Sequence, residues 1–169
     1  MDNPLHDYMY LNSTDGQATT NIFGLDITRS NDGTFYYVNA DYLGANNINY
    51  LAYCFHSIPG FSKIGEYKGN GNVEGPFVHL GFRPALVMIK LTSANGTNWN
   101  IFDNKRDPSN VTGAILAANT NAVEADQASV DILSNGFKIR HAGSYVNTNT
   151  ADYLYMAFAE APFKYANAR

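Results

Sequence analysis

Apolar residues fall in short runs bounded by glycine, asparagine, serine and proline, a pattern that predicts strands and turns. Pro84-Ala85-Leu86-Val87-Met88-Ile89-Lys90-Leu91 is an apolar run of strand length, and two aromatic runs, Tyr50 to Phe55 and Tyr153 to Phe158, read the same way. Asp131 to Arg140 predicts a hairpin, because Asn135-Gly136 supplies the positive φ angles of a tight two-residue turn. Weaker strands are predicted over Asn98 to Asp103, around Trp99 and Phe102, and over Gly113 to Ala118. Ala122, Ala125 and Ala128 have near-helical spacing, yet residues 119 to 128 are too short and polar to anchor a core. A loop with one helical turn is the expectation there.

An internal repeat organises these runs. Asn49-Tyr50-Leu51-Ala52-Tyr53-Cys54-Phe55 lies over Asp152-Tyr153-Leu154-Tyr155-Met156-Ala157-Phe158, and the same offset takes Asn46 onto Asn149 and Pro59 onto Pro162. Ser30-Asn31-Asp32-Gly33-Thr34-Phe35 resembles Ser134-Asn135-Gly136-Phe137, and Tyr37-Val38-Asn39 resembles Tyr145-Val146-Asn147, once a difference in loop length is allowed. The expected organisation is a partial β repeat over residues 1–63 and a complete one over residues 64–169, packing as one domain or two. Nothing before Tyr8 corresponds to the Pro84 to Leu91 run, so the partial copy predicts an open sheet edge that docks on the complete copy or on another chain. The fold class is all-β: an antiparallel, jelly-roll-like β-sandwich.

Composition agrees. Among 169 residues are 12 Tyr, 10 Phe and 14 Gly, a mixture that favours strands joined by turns. Eleven basic against fifteen acidic side chains give a net charge of -4, with no basic cluster, so nucleic acid is not an expected partner. The single cysteine, Cys54, rules out an intrachain disulfide and a Cys-rich zinc site, and reads as a small buried hydrophobe. Met1 to Asp7 has neither a basic nor an apolar leader region, and no run is long enough to span a membrane. Export by lysis inside an assembled particle needs neither.

Catalytic signatures are missing: there is no G-x-S-x-G elbow, phosphate-cradling glycine motif or H-E-x-x-H. Gly69 to Gly75 is glycine-rich but lacks the lysine and helix that phosphate binding needs, so it predicts a mobile loop. His6, His56, His79 and His141 are scattered, and Asp103 to Asp107 departs from the calcium-loop pattern and carries two cations, which predicts a solvated turn and no metal. A glycan-degrading enzyme would need two opposed carboxylates; Glu66, Glu74, Asp103, Asp131 and Glu160 are available, but nothing in the sequence pairs them. No enzyme activity and no cofactor are expected. Binding would rest on aromatics, whose rings stack on sugars while neighbouring amides fix hydroxyls. Trp99, Tyr145 and Tyr42, with Asn147, are the candidate ligand-binding residues, although most rings are needed to fill the core.

Four stretches carry a resemblance: Gly75 to Lys90, Phe102-Asp103-Asn104-Lys105-Arg106, Leu133 to Arg140, and the ending Tyr155 to Arg169. Together they resemble the repeated C-terminal module of marine bacteriophage tail-fibre-like virion structural proteins, from about residue 48 onward. The resemblance implies a virion location after assembly in the host cytoplasm, and it supplies no catalytic residue. A tail-fibre or fibre-tip subunit that contributes to host attachment is therefore expected, with a capsid decoration or tail-junction protein as the alternative. Expected partners are other virion proteins, further copies of the chain, and a host-surface glycan or protein.

Overall fold

The computed structural model describes residues 6–20, 49, 51 and 53–161. Among them are ten strands, every pairing antiparallel, and no helix. The chain divides into two compact units, one of Met1–Met9 with Gln17–Cys54 and one of Tyr10–Gly16 with Phe55–Arg169. In the first, β1 (His6–Tyr8) pairs with β2 (Ala18–Thr20), and Thr19 Oγ1 donates to the Asp7 carboxylate at 2.8 Å.

The second unit holds β3 (Ser62–Lys68), β4 (Phe77–His79), β5 (Pro84–Leu91), β6 (Asn100–Asp103), β7 (Thr112–Ala117), β8 (Ala125–Leu133), β9 (Gly136–Ile139) and β10 (Asp152–Ala159). Their order is β3-β10-β5-β6-β7-β8-β9-β4. The sheet folds over at β7. Its C-terminal residues pair with β6, Leu116 opposite Ile101 and Ala117 opposite Asn100, whereas Thr112, Ala114 and Ile115 pair with β8 across a register shift. A strand that changes partners along its length turns the corner of a sandwich.

Side-chain alternation fills the space between the layers. Tyr153, Tyr155 and Ala157 of β10 and Val87, Ile89 and Leu91 of β5 are buried. From the other layer, Phe137 of β9 meets Tyr67 edge-on at 6.2 Å and Tyr155 at 5.5 Å. The antiparallel sandwich expected from the sequence is thus the fold of this unit.

One lysine breaks the pattern. Lys90 lies on the outer face yet is fully buried, because Tyr10–Gly16 crosses there and Lys90 Nζ donates to Thr14 O at 3.0 Å and Thr97 O at 2.7 Å. Gly96 N also donates to Thr14 O, and Gly16 N to Asn95 Oδ1. Burial lowers the Lys90 pKa, with the nearby Asp15 carboxylate acting in the opposite direction.

Several expectations change. Pro84–Leu91 and the Tyr153–Phe158 run are strands, but Leu51 and Tyr53 to Ser57 are irregular, with Leu51, Tyr53 and Phe55 77%, 76% and 57% exposed. The β10 run lies between β3 and β5; an apolar run becomes a strand only where such neighbours bond its backbone. Cys54, expected to be buried, is exposed for the same reason. Tyr50, Ala52 and the earlier landmarks of the repeat lie outside the described residues. Ala125 and Ala128, read as part of a helical turn, belong to β8, where pairing with β7 overrides helix tolerance.

The 131–140 hairpin forms, with Leu133 opposite Gly136 and Ser134-Asn135 between them. Neither Asn135 nor Gly136 has positive φ. Glycine is required by proximity instead: a Cβ there would lie 2.1 Å from Val78 O on β4.

Candidate functional site

At one end of the sandwich the residues leading into β6, the end of β7 and the start of β8 surround a cleft of about 280 Å³, closed on a further side by Ser144 and Tyr145. Thr97, Asn98, Asn100, Gln127 and Ser144 form its polar lining; Ile115, Ala117, Ala122, Val123 and Ala125 form its apolar lining. No lining residue carries a charge.

Side-chain amides fix the rim. Asn119 Oδ1 accepts from Trp99 N and Asn119 Nδ2 donates to Asn98 Oδ1, both at 3.0 Å, tying the β6 approach to the turn after β7. Asn100 Nδ2 donates to Asn98 O and Tyr145 O, joining that approach to the 143–147 turn. Val146 N and Asn147 N in turn donate to Gly143 O.

Tyr145 is held at both ends. Its hydroxyl lies 2.7 Å from Ser129 Oγ, which also bonds Gln127 O. The His141 ring packs against Tyr145 at 5.2 Å. Burial raises the Tyr145 pKa, with the Ser129 hydrogen bond opposing, so the phenol stays neutral at physiological pH. His141 Nδ1 accepts from Gly143 N, and its Nε2 lies 2.8 Å from the Gln127 side-chain nitrogen. That contact holds the amide end of Gln127 at the rim of the cleft.

Of the sequence-derived candidates, Tyr145 lines this cleft. Trp99 is 7% exposed and donates its indole N–H to Tyr10 O at 3.0 Å. Asn147 is fully buried, accepting from Asn70 N and donating to Asn70 Oδ1 and Asn72 O. Both side chains are engaged by the protein itself. Tyr42 lies outside the described residues. The Gly69–Gly75 segment, expected as a mobile loop, is fastened by Asn147, by successive turns at Asn70 and Asn72, and by Glu74 on Lys138 and Arg140.

The candidate carboxylates mostly face cations. Glu74 pairs with Lys138 and Arg140, Asp131 with Arg140, Glu160 with Arg83, and Asp103 with Arg106, which also holds Glu124. Asp103 accepts the Lys105 and Arg106 amides as well, so the 103–107 turn, expected as solvated, is internally bonded. Burial pushes the Asp103 pKa up, but the Arg106 and Lys105 bonds outweigh it and the net shift is downward. Glu66 is exposed on β3. Among the described residues, no group of three or more His, Cys, Asp or Glu is placed to hold a metal.

Asn98, Asn119, Gln127 and Ser144 were not singled out from the sequence. The amide-rich run Asn95-Gly96-Thr97-Asn98-Trp99-Asn100 was the available signal, but it drew attention to the tryptophan, which turns away from the cleft to bond Tyr10.

Residues 2–162 match a family described as a domain of unknown function, DUF7483, and the chain belongs to that family. No curated protein and no solved structure matches it.

Proposed function

We propose that the protein is a bacteriophage virion structural subunit, of a tail fibre or fibre tip, that contributes to host-surface attachment. The observation that carries the reading is the uncharged cleft at the end of the sandwich, edged by the fixed Tyr145 ring and lined by amides. A recognition site needs preorganised polar groups beside apolar surface, and this cleft supplies both. The resemblance at Gly75 to Lys90 and at the chain's ending adds the virion setting. A non-enzymatic role fits the carboxylates: Glu74 and Asp103 have lowered pKa values, opposite to what a glycosidase acid requires.

The test is saturable binding of fluorescently labelled protein to a panel of marine bacterial strains, with its mass measured by light scattering. Strain-selective, saturable binding by an oligomer is the expected result. A monomer that binds no strain overturns the reading.

A different observation favours a second reading, capsid decoration or tail-junction architecture. Ile64, Met156, Met88, Ile101 and Leu116 stand opposite one another in register across β3, β10, β5, β6 and β7, forming an apolar row on the outer face of one layer. A row of this kind suits packing against another virion protein.

A further inference from the structure

We infer that the cleft beside Tyr145 takes the end of a neutral saccharide, an inference that rests on the attachment reading and names its ligand. Charge decides against the alternatives first. Phosphates, sialic acids and uronic acids are recognised by paired cations, and the lining has none. Arg106 is held by Asp103 and Glu124, and Arg140 by Glu74 and Asp131.

A purely apolar ligand fits no better, because it would strip water from Asn98, Asn100, Gln127 and Ser144 without replacing their hydrogen bonds. A sugar ring has a C–H face and a rim of hydroxyls that both donate and accept. The first matches Ile115, Ala117 and Val123, and the second matches the amides.

The polar groups are also set in advance. Asn98 Oδ1 is fixed by Asn119, while Asn98 Nδ2 makes no hydrogen bond among the described residues. The His141 ring holds the Gln127 side-chain nitrogen at 2.8 Å, which fixes the amide in place. Thr97 also lines the cleft, although its hydroxyl oxygen is buried beneath the surface. The volume of about 280 Å³ lies just below the usual range for small-molecule sites, which suits one terminal ring.

The experiment is saturation-transfer NMR on the full chain with methyl glycosides of glucose, galactose, mannose and N-acetylglucosamine, and with sialic acid and glucuronate as charged probes. At least one neutral glycoside is expected to bind, with affinity falling roughly three- to tenfold in Gln127→Ala and in Asn98→Asp, the loss of one hydrogen bond each. Circular dichroism checks that both variants fold. Failure of every neutral glycoside, tighter binding of the charged sugars, or unchanged affinity in both variants overturns the inference. Cell binding that resists the sugars and both variants removes the saccharide site and leaves attachment standing. Sugar binding without cell binding does the reverse.

Discussion

The rings of Tyr67 and Tyr153 stack at 5.1 Å with only 8° between their planes, side by side on β3 and β10 inside the sandwich. Tyr67 also donates its hydroxyl to Val146 O at 2.7 Å. Burial, and secondarily the neighbouring Tyr153, raises the Tyr67 pKa well above its ordinary value of 10.0. A raised folded value means that the folded state holds its proton where the unfolded state has lost it. Tyr67 therefore contributes stability that is complete below pH 10 and declines as pH rises from there toward the folded value. The urea midpoint is expected to fall above about pH 10. Tyr67→Phe should cost about 1–3 kcal/mol at neutral pH by orphaning the Val146 carbonyl, and should make the alkaline decline shallower.

Asn147 ties the 69–75 segment to the 143–147 turn through three side-chain hydrogen bonds. Asn147→Ala removes all three and leaves buried groups unpaired, so a loss of about 2–4 kcal/mol is expected in urea unfolding. Hydrogen exchange should show the Asn70 amide losing its protection. A destabilisation below about 0.5 kcal/mol would contradict this account.

Glu74 fastens the same segment to β9 from the outside. The Lys138 hydrogen bond is the main cause of its lowered pKa, with Arg140 adding to the effect and desolvation opposing it. A depressed carboxylate value gives stability that is present above the unfolded value of 4.5 and lost as pH falls through the folded one. Acid titrations followed by tyrosine fluorescence should therefore show a shallower decline in Glu74→Gln than in the parent chain. High salt should reduce the difference, because the carboxylate is exposed.

Gly136→Ala places a methyl group on the carbonyl of Val78. Since that approach comes from strand pairing and not from a flexible side chain, β4 must separate from β9. The expected cost is at least about 2 kcal/mol, together with faster exchange of the Val78 and Phe137 amides, which pair across β4 and β9. Ser134→Ala, in the loop of the same hairpin, serves as the near-neutral control.

The sequence by itself determined the strands whose side chains alternate or whose apolar run is unbroken: Pro84–Leu91, the hairpin after Asp131 and the run from Tyr153 to Phe158. Those elements follow from local pattern, because period-2 alternation and turn residues are properties of neighbouring positions. Tertiary structure decided everything that depends on which backbone lies alongside. The run from Tyr53 to Phe55 lies over Met156 to Phe158 of β10 in the repeat but is irregular, since strand formation needs hydrogen-bonding neighbours that no local pattern supplies. Gly136 was legible as a necessary glycine, yet its reason, the approach of Val78, was not. Trp99 and Tyr145 looked alike as ring-bearing candidates; only the fold turned the indole toward Tyr10 and set the phenol at the edge of the cleft. Asn98 and Gln127, nearly thirty positions apart, form one site because the sandwich closes at β7, a long-range contact that no short stretch of sequence encodes.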